Sequence, residues 1–130
     1  MPVRIVRLGT PRFAAEGLRL GTVRRPPRGV KKEDHAKRDF YDVWLPELAP
    51  AAETVSIALS SDLTPELWKT FEKKYRREMG EAAPQHLLGL LAALSHTTNF
   101  SVGCYCEDAT RCHRSILRQL LVESGAKLHD

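Results

Sequence analysis

Residues 99–125 read NFSVGCYCEDATRCHRSILRQLLVESG. The run FSVGCYC is short, largely apolar and bounded by Asn99, which predicts a buried strand. Beyond Arg111 the period changes. Ile116, Leu117, Leu120 and Leu121 fall on one helical face, and Gly125 stops the run. A buried strand feeding a helix through a polar loop is a building block of α/β domains.

Upstream of this unit the pattern is consistent with the same class. VRIVRL, residues 3–8, alternates apolar and basic side chains as a half-buried strand does. Phe13 to Glu16 suits a single helical turn, and LRLGTVRR, residues 18–25, reads as a second strand with Gly21 as a weak point or bulge. FYDVWLPELAP, residues 40–50, is expected to be an irregular packed segment or short helix whose Trp44 and Leu45 plug the core. AAETVSIAL predicts a short helix, and Ser60 to Leu63 a loop. The clearest helix starts at Thr64, a good N-cap, followed by Pro65 at the first helical position and Glu66 at the positive dipole end. Leu67, Trp68, Phe71, Tyr75 and Met79 recur on one side, and Gly80 ends it. Pro84 opens another helix, whose near-continuous leucines, residues 87–94, predict deep burial. The expected fold is α/β: one compact domain over residues 1–130, with a small, mainly parallel sheet covered by helices. Strand order and oligomeric state are not legible at this level.

Composition narrows the function classes. The chain has 130 residues, of which 42% are hydrophobic, enough for one core without staples. It lacks both a run of about 18 apolar residues and a secretory h-region. Three cysteines cannot all pair within one chain, so a cytoplasmic setting is expected, with no membrane partner. The net charge of +4 leans toward anionic partners, small anions or nucleic acid.

Two segments carry chemistry. RRPPRGVKKEDHAKRD, residues 24–39, crowds Arg24, Arg25, Arg28, Lys31 and Lys32 onto a loop stiffened by Pro26 and Pro27. It reads as a solvated surface loop or as cations aimed at an anion. CYCEDATRCHRSIL, residues 104–117, contains all three cysteines. In a strand, Cys104 and Cys106 face the same way about 6.5–7 Å apart, which is poor for a disulfide. Cys104, Cys106, Cys112 and His113 have the donor count of tetrahedral zinc but not the spacing of its usual knuckles, so no metal and no cofactor are assigned. Cys112 near a helix start, beside Arg111, His113 and Arg114, suits a reactive thiolate, with Asp108 or Thr110 as the cap. The same turn could cradle an anion through backbone donors, with Arg114 as a bidentate fork and His113 as proton donor or shuttle. Against all of these stands packing: Cys112 and His113 lie one turn before Ile116 and Leu117, and Arg111, Arg114 and Arg118 would then form an exposed basic stripe. A nucleic-acid surface would use Lys69, Lys73, Arg76 and Arg77 together with the exposed arginines of the final helix.

Taken in order, RRPPRGVKKED, WLPELAP, WKTFEKKYRREM and CYCEDATRCHRSIL resemble the YeaO-like (DUF488) family of small bacterial proteins, in its Cys-His-Arg branch. Arg25 and Pro26 stand where many relatives have leucine and tryptophan before PRG, so an aromatic ligand platform is not expected here. The resemblance implies a compact α/β domain in a bacterial cytoplasm and supplies no activity. It makes the two segments candidates for one site. On that expectation His113 and Cys112 are the catalytic pair, while Arg25, Arg28, Lys31 and Arg114 bind a phosphate-bearing ligand in a hydrolase or transferase. The rivals are a nucleic-acid-binding module and a non-enzymatic interaction protein.

Overall fold

Every residue of the strand Phe100–Cys104 is buried, because it lies between two parallel neighbours in the centre of the sheet. The structure, a computed structural model, describes residues 2–58, 64–106 and 112–129. Four strands appear among them: β1 (Val3–Arg7), β2 (Leu18–Gly21), β3 (Val43–Trp44) and β4 (Phe100–Cys104). They form one parallel sheet in the order β1-β4-β2-β3. The helices are α1 (Ala52–Ala58), α2 (Pro65–Met79), α3 (Ala82–Leu94) and α4 (His113–Glu123).

Register divides the sheet into two chemically different faces. Val3 and Leu18 flank Phe100, and Ile5 and Leu20 flank Val102. Their side chains project to one face, where Val3, Leu20, Phe100 and Val102 pack with Phe71, Tyr75, Leu88 and Leu117 of the helices. Arg19, Ser101 and Val6 project to the other face, which loops from residues 9–17 and 35–42 cover. Arg19 is fully buried there. Its guanidinium donates twice to Glu16 and once each to the carbonyls of Thr10 and Asp39, and Ser101 donates to the same carboxylate.

Several sequence expectations meet their physical limits. β2 ends at Gly21, not at Arg25, since its partner β4 ends at Cys104 and the Thr22 N–H makes the last bond to it, at the Gly103 carbonyl. Gly21 is not a weak point: a Cβ there would meet the Tyr41 ring at 2.3 Å, so the missing side chain admits the ring. Trp44 does not plug the core. It lies on an edge strand, 41% exposed, with its indole N–H bonded to the Val23 carbonyl, while Tyr41 is buried instead. Thr64 caps α2 as expected, its hydroxyl accepting from the Leu67 N–H. α3 begins at Ala82, two residues before Pro84. It is buried only along Leu88, Leu91 and Ala92, leaving Leu90 and Leu94 exposed. The expected loop of Ser60 to Leu63 lies outside the described residues.

Candidate functional site

β4 delivers its last residue, Cys104, to the carboxyl edge of the sheet, the side on which open α/β sheets bind ligands. Cys106 follows two residues later, and the chain returns at Cys112, the N-cap of α4. The loop carrying Glu107, Asp108, Thr110 and Arg111 lies outside the described residues. All three cysteines are free thiols, with Cys104 and Cys112 buried and Cys106 half-buried. Their sulfurs lie within 4.8 Å of one another. Val6, Leu8, Val23 and Tyr41 pack around Cys104 and Cys112 as a second, smaller core.

His113 opens α4 and is buried against the edge of the Tyr75 ring. Its Nε2 lies 2.7 Å from the Thr22 carbonyl, which can only accept, so Nε2 carries the proton and Nδ1 a lone pair. Nδ1 is 3.7 Å from the Cys112 sulfur, at the edge of the sulfur triangle. Burial pushes the imidazole down to about 4, against the pull of the Thr22 bond, so the ring is neutral at pH 7.

Arg114 corrects the packing alternative, which made it part of an exposed stripe. It is 4% exposed, and it donates to the Cys106 carbonyl over 2.6 Å. Its Nε has no hydrogen-bond partner, and no carboxylate pairs with it among the described residues. Arg118 is exposed as expected.

The thiols are unequal. Cys106 is held well below the ordinary thiol range, because Cys104 and then Cys112 hydrogen-bond to it and the Arg114 guanidinium adds positive potential, together outweighing its partial burial. Cys104 is pushed up, first by donating to Cys106 and then by its contact with Cys112 and by burial. Cys112 is pulled down by Cys104 but raised more by Cys106 and burial, and ends above its ordinary value. Of the three thiols, Cys106 is thus the one favoured toward the thiolate, whereas the expected Cys112 is raised. Sequence reasoning passed it over because it belongs to no helix start; its two-residue offset from Cys104 was the available signal.

A cavity of about 560 Å³ opens beside this cluster. Arg25 and Arg28 form part of one wall, Val55 of α1 another, and Cys104, Cys106 and His113 line the same space. The proline-rich loop is fastened in place: Arg24 donates to the carbonyls of Pro50 and Ala49, and the Tyr105 hydroxyl to that of Arg25. Gly29 supplies the φ of +73° at its turn. Lys31 is exposed and stands outside the cavity lining, before a 3-10 turn at Lys32–Asp34. Cys112 and Arg114 support the cluster without lining the cavity.

Between α2 and the later turns of α4, Arg76 donates to Glu72, Gln119 and Glu123. Its charge is thus largely compensated within the molecule, which weakens a phosphate-tracking face along Lys69, Lys73 and Arg77. Among the described residues no helix is long and apolar enough to cross a membrane.

Comparison with known proteins supports the family resemblance. The family model that matches is described as the active DUF488-N3 subclade and covers residues 3–125. Searches of curated proteins and of solved structures each found no match. With nearly the whole chain matched, from the first residue of β1 to the glycine that follows α4, this protein belongs to the DUF488 family.

Proposed function

We propose that the protein binds a small anionic ligand, of the phosphate-bearing class, in the cavity between the proline-rich loop and the start of α4. One observation carries this reading: Arg25 and Arg28 line the same space as Cys106 and His113, although about 80 residues separate the two segments. Neither guanidinium makes a hydrogen bond or ion pair to a described residue, so both are available to a ligand. Arginine forks bind phosphate or carboxylate oxygens bidentately. The fitting reaction class is hydrolysis or group transfer at the held anion, with the Cys106 sulfur as the electron-rich atom facing the ligand. His113 is then a neutral group oriented by Thr22. The word "active" in the family description agrees with an enzymatic reading.

The test is direct. Orthophosphate, pyrophosphate and a nucleoside monophosphate are titrated by calorimetry into the protein and into an Arg25→Ala/Arg28→Ala variant. At least one anion should bind saturably, and the variant should lose about tenfold or more in affinity, or about 1.4 kcal/mol. If no anion binds, or if the variant binds equally well, the proposal fails.

A further inference from the structure

We propose that Cys104, Cys106 and Cys112 bind a divalent thiophilic metal ion of the zinc class, with the Nδ1 of His113 as fourth donor. The sulfurs lie within 4.8 Å of one another. An ion about 2.3 Å from each thiolate in tetrahedral geometry needs them about 3.8 Å apart, so the triangle closes on an ion by moving about an ångström or less. Two of the three sulfurs are set by regular structure, Cys104 at the end of β4 and Cys112 at the cap of α4.

The imidazole has the tautomer of a ligand and touches one corner of the triangle, although its nitrogens lie outside the 4.8 Å group that the three sulfurs form, so it would turn inward on binding. Its Nε2 proton is engaged by the Thr22 carbonyl at 2.7 Å, the backbone-carbonyl arrangement that orients metal-bound histidines, and this leaves the Nδ1 lone pair 3.7 Å from the Cys112 sulfur. A tetrahedral ion places a nitrogen and a sulfur ligand about 3.6 Å apart.

Charge selects the ion. Three thiolates and a divalent cation leave one net negative charge, and the thiol protons leave to solvent on binding. Arg114, 4% exposed and bonded to the Cys106 carbonyl, brings one positive charge to the same place, and its Nε has no partner among the described residues. A monovalent ion would leave two negative charges against that one cation. Simple packing of small apolar thiols accounts for Val6, Leu8 and Val23 around the cluster, but not for a buried guanidinium beside it.

The assignment does not depend on anion binding, although it shares the cavity. A metal-bound Cys106 is no longer a free nucleophile, so metal content also decides which role that sulfur has. The protein, prepared without a polyhistidine tag, is analysed for zinc by native mass spectrometry. It is then stripped with chelator and titrated with cobalt(II). One ion per chain and a thiolate-to-cobalt charge-transfer band of three-sulfur intensity are expected. Cys106→Ala should reduce the band to two sulfurs and weaken binding about tenfold or more. His113→Ala should keep the sulfur band and change the cobalt ligand-field spectrum. No band in the wild-type protein, a band of fewer than three sulfurs, or a Cys106→Ala band equal to wild type would overturn the proposal. The first two readings need no variant to fold. Repeating the anion titration on stripped protein separates failure of the metal site from failure of the anion pocket.

Discussion

Two arginines are buried among the described residues, and they are satisfied in opposite ways. Arg19 sits on the loop-covered face of the sheet with a carboxylate, two carbonyls and a neighbouring hydroxyl arranged around the pair it forms with Glu16. Arg114, at the carboxyl edge, has one carbonyl and, among the described residues, no partner for its Nε. A buried charge is tolerated when it is paired and hydrogen-bonded. The first cluster closes on itself and holds the fold. The second, with three thiols of which Cys106 is the one held toward the thiolate and with a neutral imidazole, leaves its guanidinium less completely paired among the described residues. Polar burial thus marks structure in one place and points to a ligand in the other.

Breaking the closed cluster should have the largest effect. Glu16→Ala strands the Arg19 guanidinium in a fully buried position, and urea denaturation should show a loss of about 3–5 kcal/mol. Acid should act on the same group. Burial alone would raise the Glu16 carboxyl, but bonds from Arg19, Ser101 and the Phe13 N–H outweigh it and hold it at about 2, against an ordinary 4.5. A carboxyl depressed by folding contributes stability in full above its unfolded value and loses it as pH falls toward the folded one. The Glu16 contribution, about 3 kcal/mol, should therefore fade between pH 4.5 and 2, and denaturation curves across that window should be flatter in the Glu16→Ala variant.

Arg114→Met tests the other side of the comparison. It removes one charged hydrogen bond and also a poorly paired buried cation, so the cost should be smaller, about 1–2 kcal/mol. In chelator-treated protein it should raise the pH at which Cys106 is alkylated, because a positive charge that favours the thiolate is gone. A loss as large as that of Glu16→Ala would show that both arginines are structural. Arg76→Ala provides the exposed reference. Its pairs with Glu72 and Glu123 are open to solvent, and their removal should cost at most about 1 kcal/mol.

The elements easiest to read in the chain were those whose signals are local. Thr64, Pro65 and the spacing of Phe71, Tyr75 and Met79 define α2 without reference to anything else, and the apolar run ending at Cys104 announces the central strand. Val43–Trp44 escaped notice as a strand because two residues carry no period, and their pairing to β2 is decided by β2. The candidate site was half visible. Arg25, Arg28 and His113 were placed together through a resemblance between motifs, and they line one cavity. Lys31 falls outside it. Cys106 was outranked by Cys112, since the argument from a helix dipole favours a cap residue and cannot see which sulfur its neighbours donate to. The packing alternative put Arg114, otherwise read as an anion ligand, in solvent because helical periodicity counts apolar residues, and a buried arginine does not announce itself in that count.

What the order of residues decided alone was the alternation of strand and helix, the caps and stops, and the presence of three thiols beside a His-Arg pair. These depend on contacts within a few residues, where periodicity and backbone preference suffice. Tertiary structure decided that Glu16 meets Arg19 over Ser101, that the sulfurs at 104, 106 and 112 form one triangle, and that the proline-rich loop walls the same cavity. Such neighbourhoods follow from strand order and loop docking, which are set by how the whole core packs and are written in no single stretch of chain.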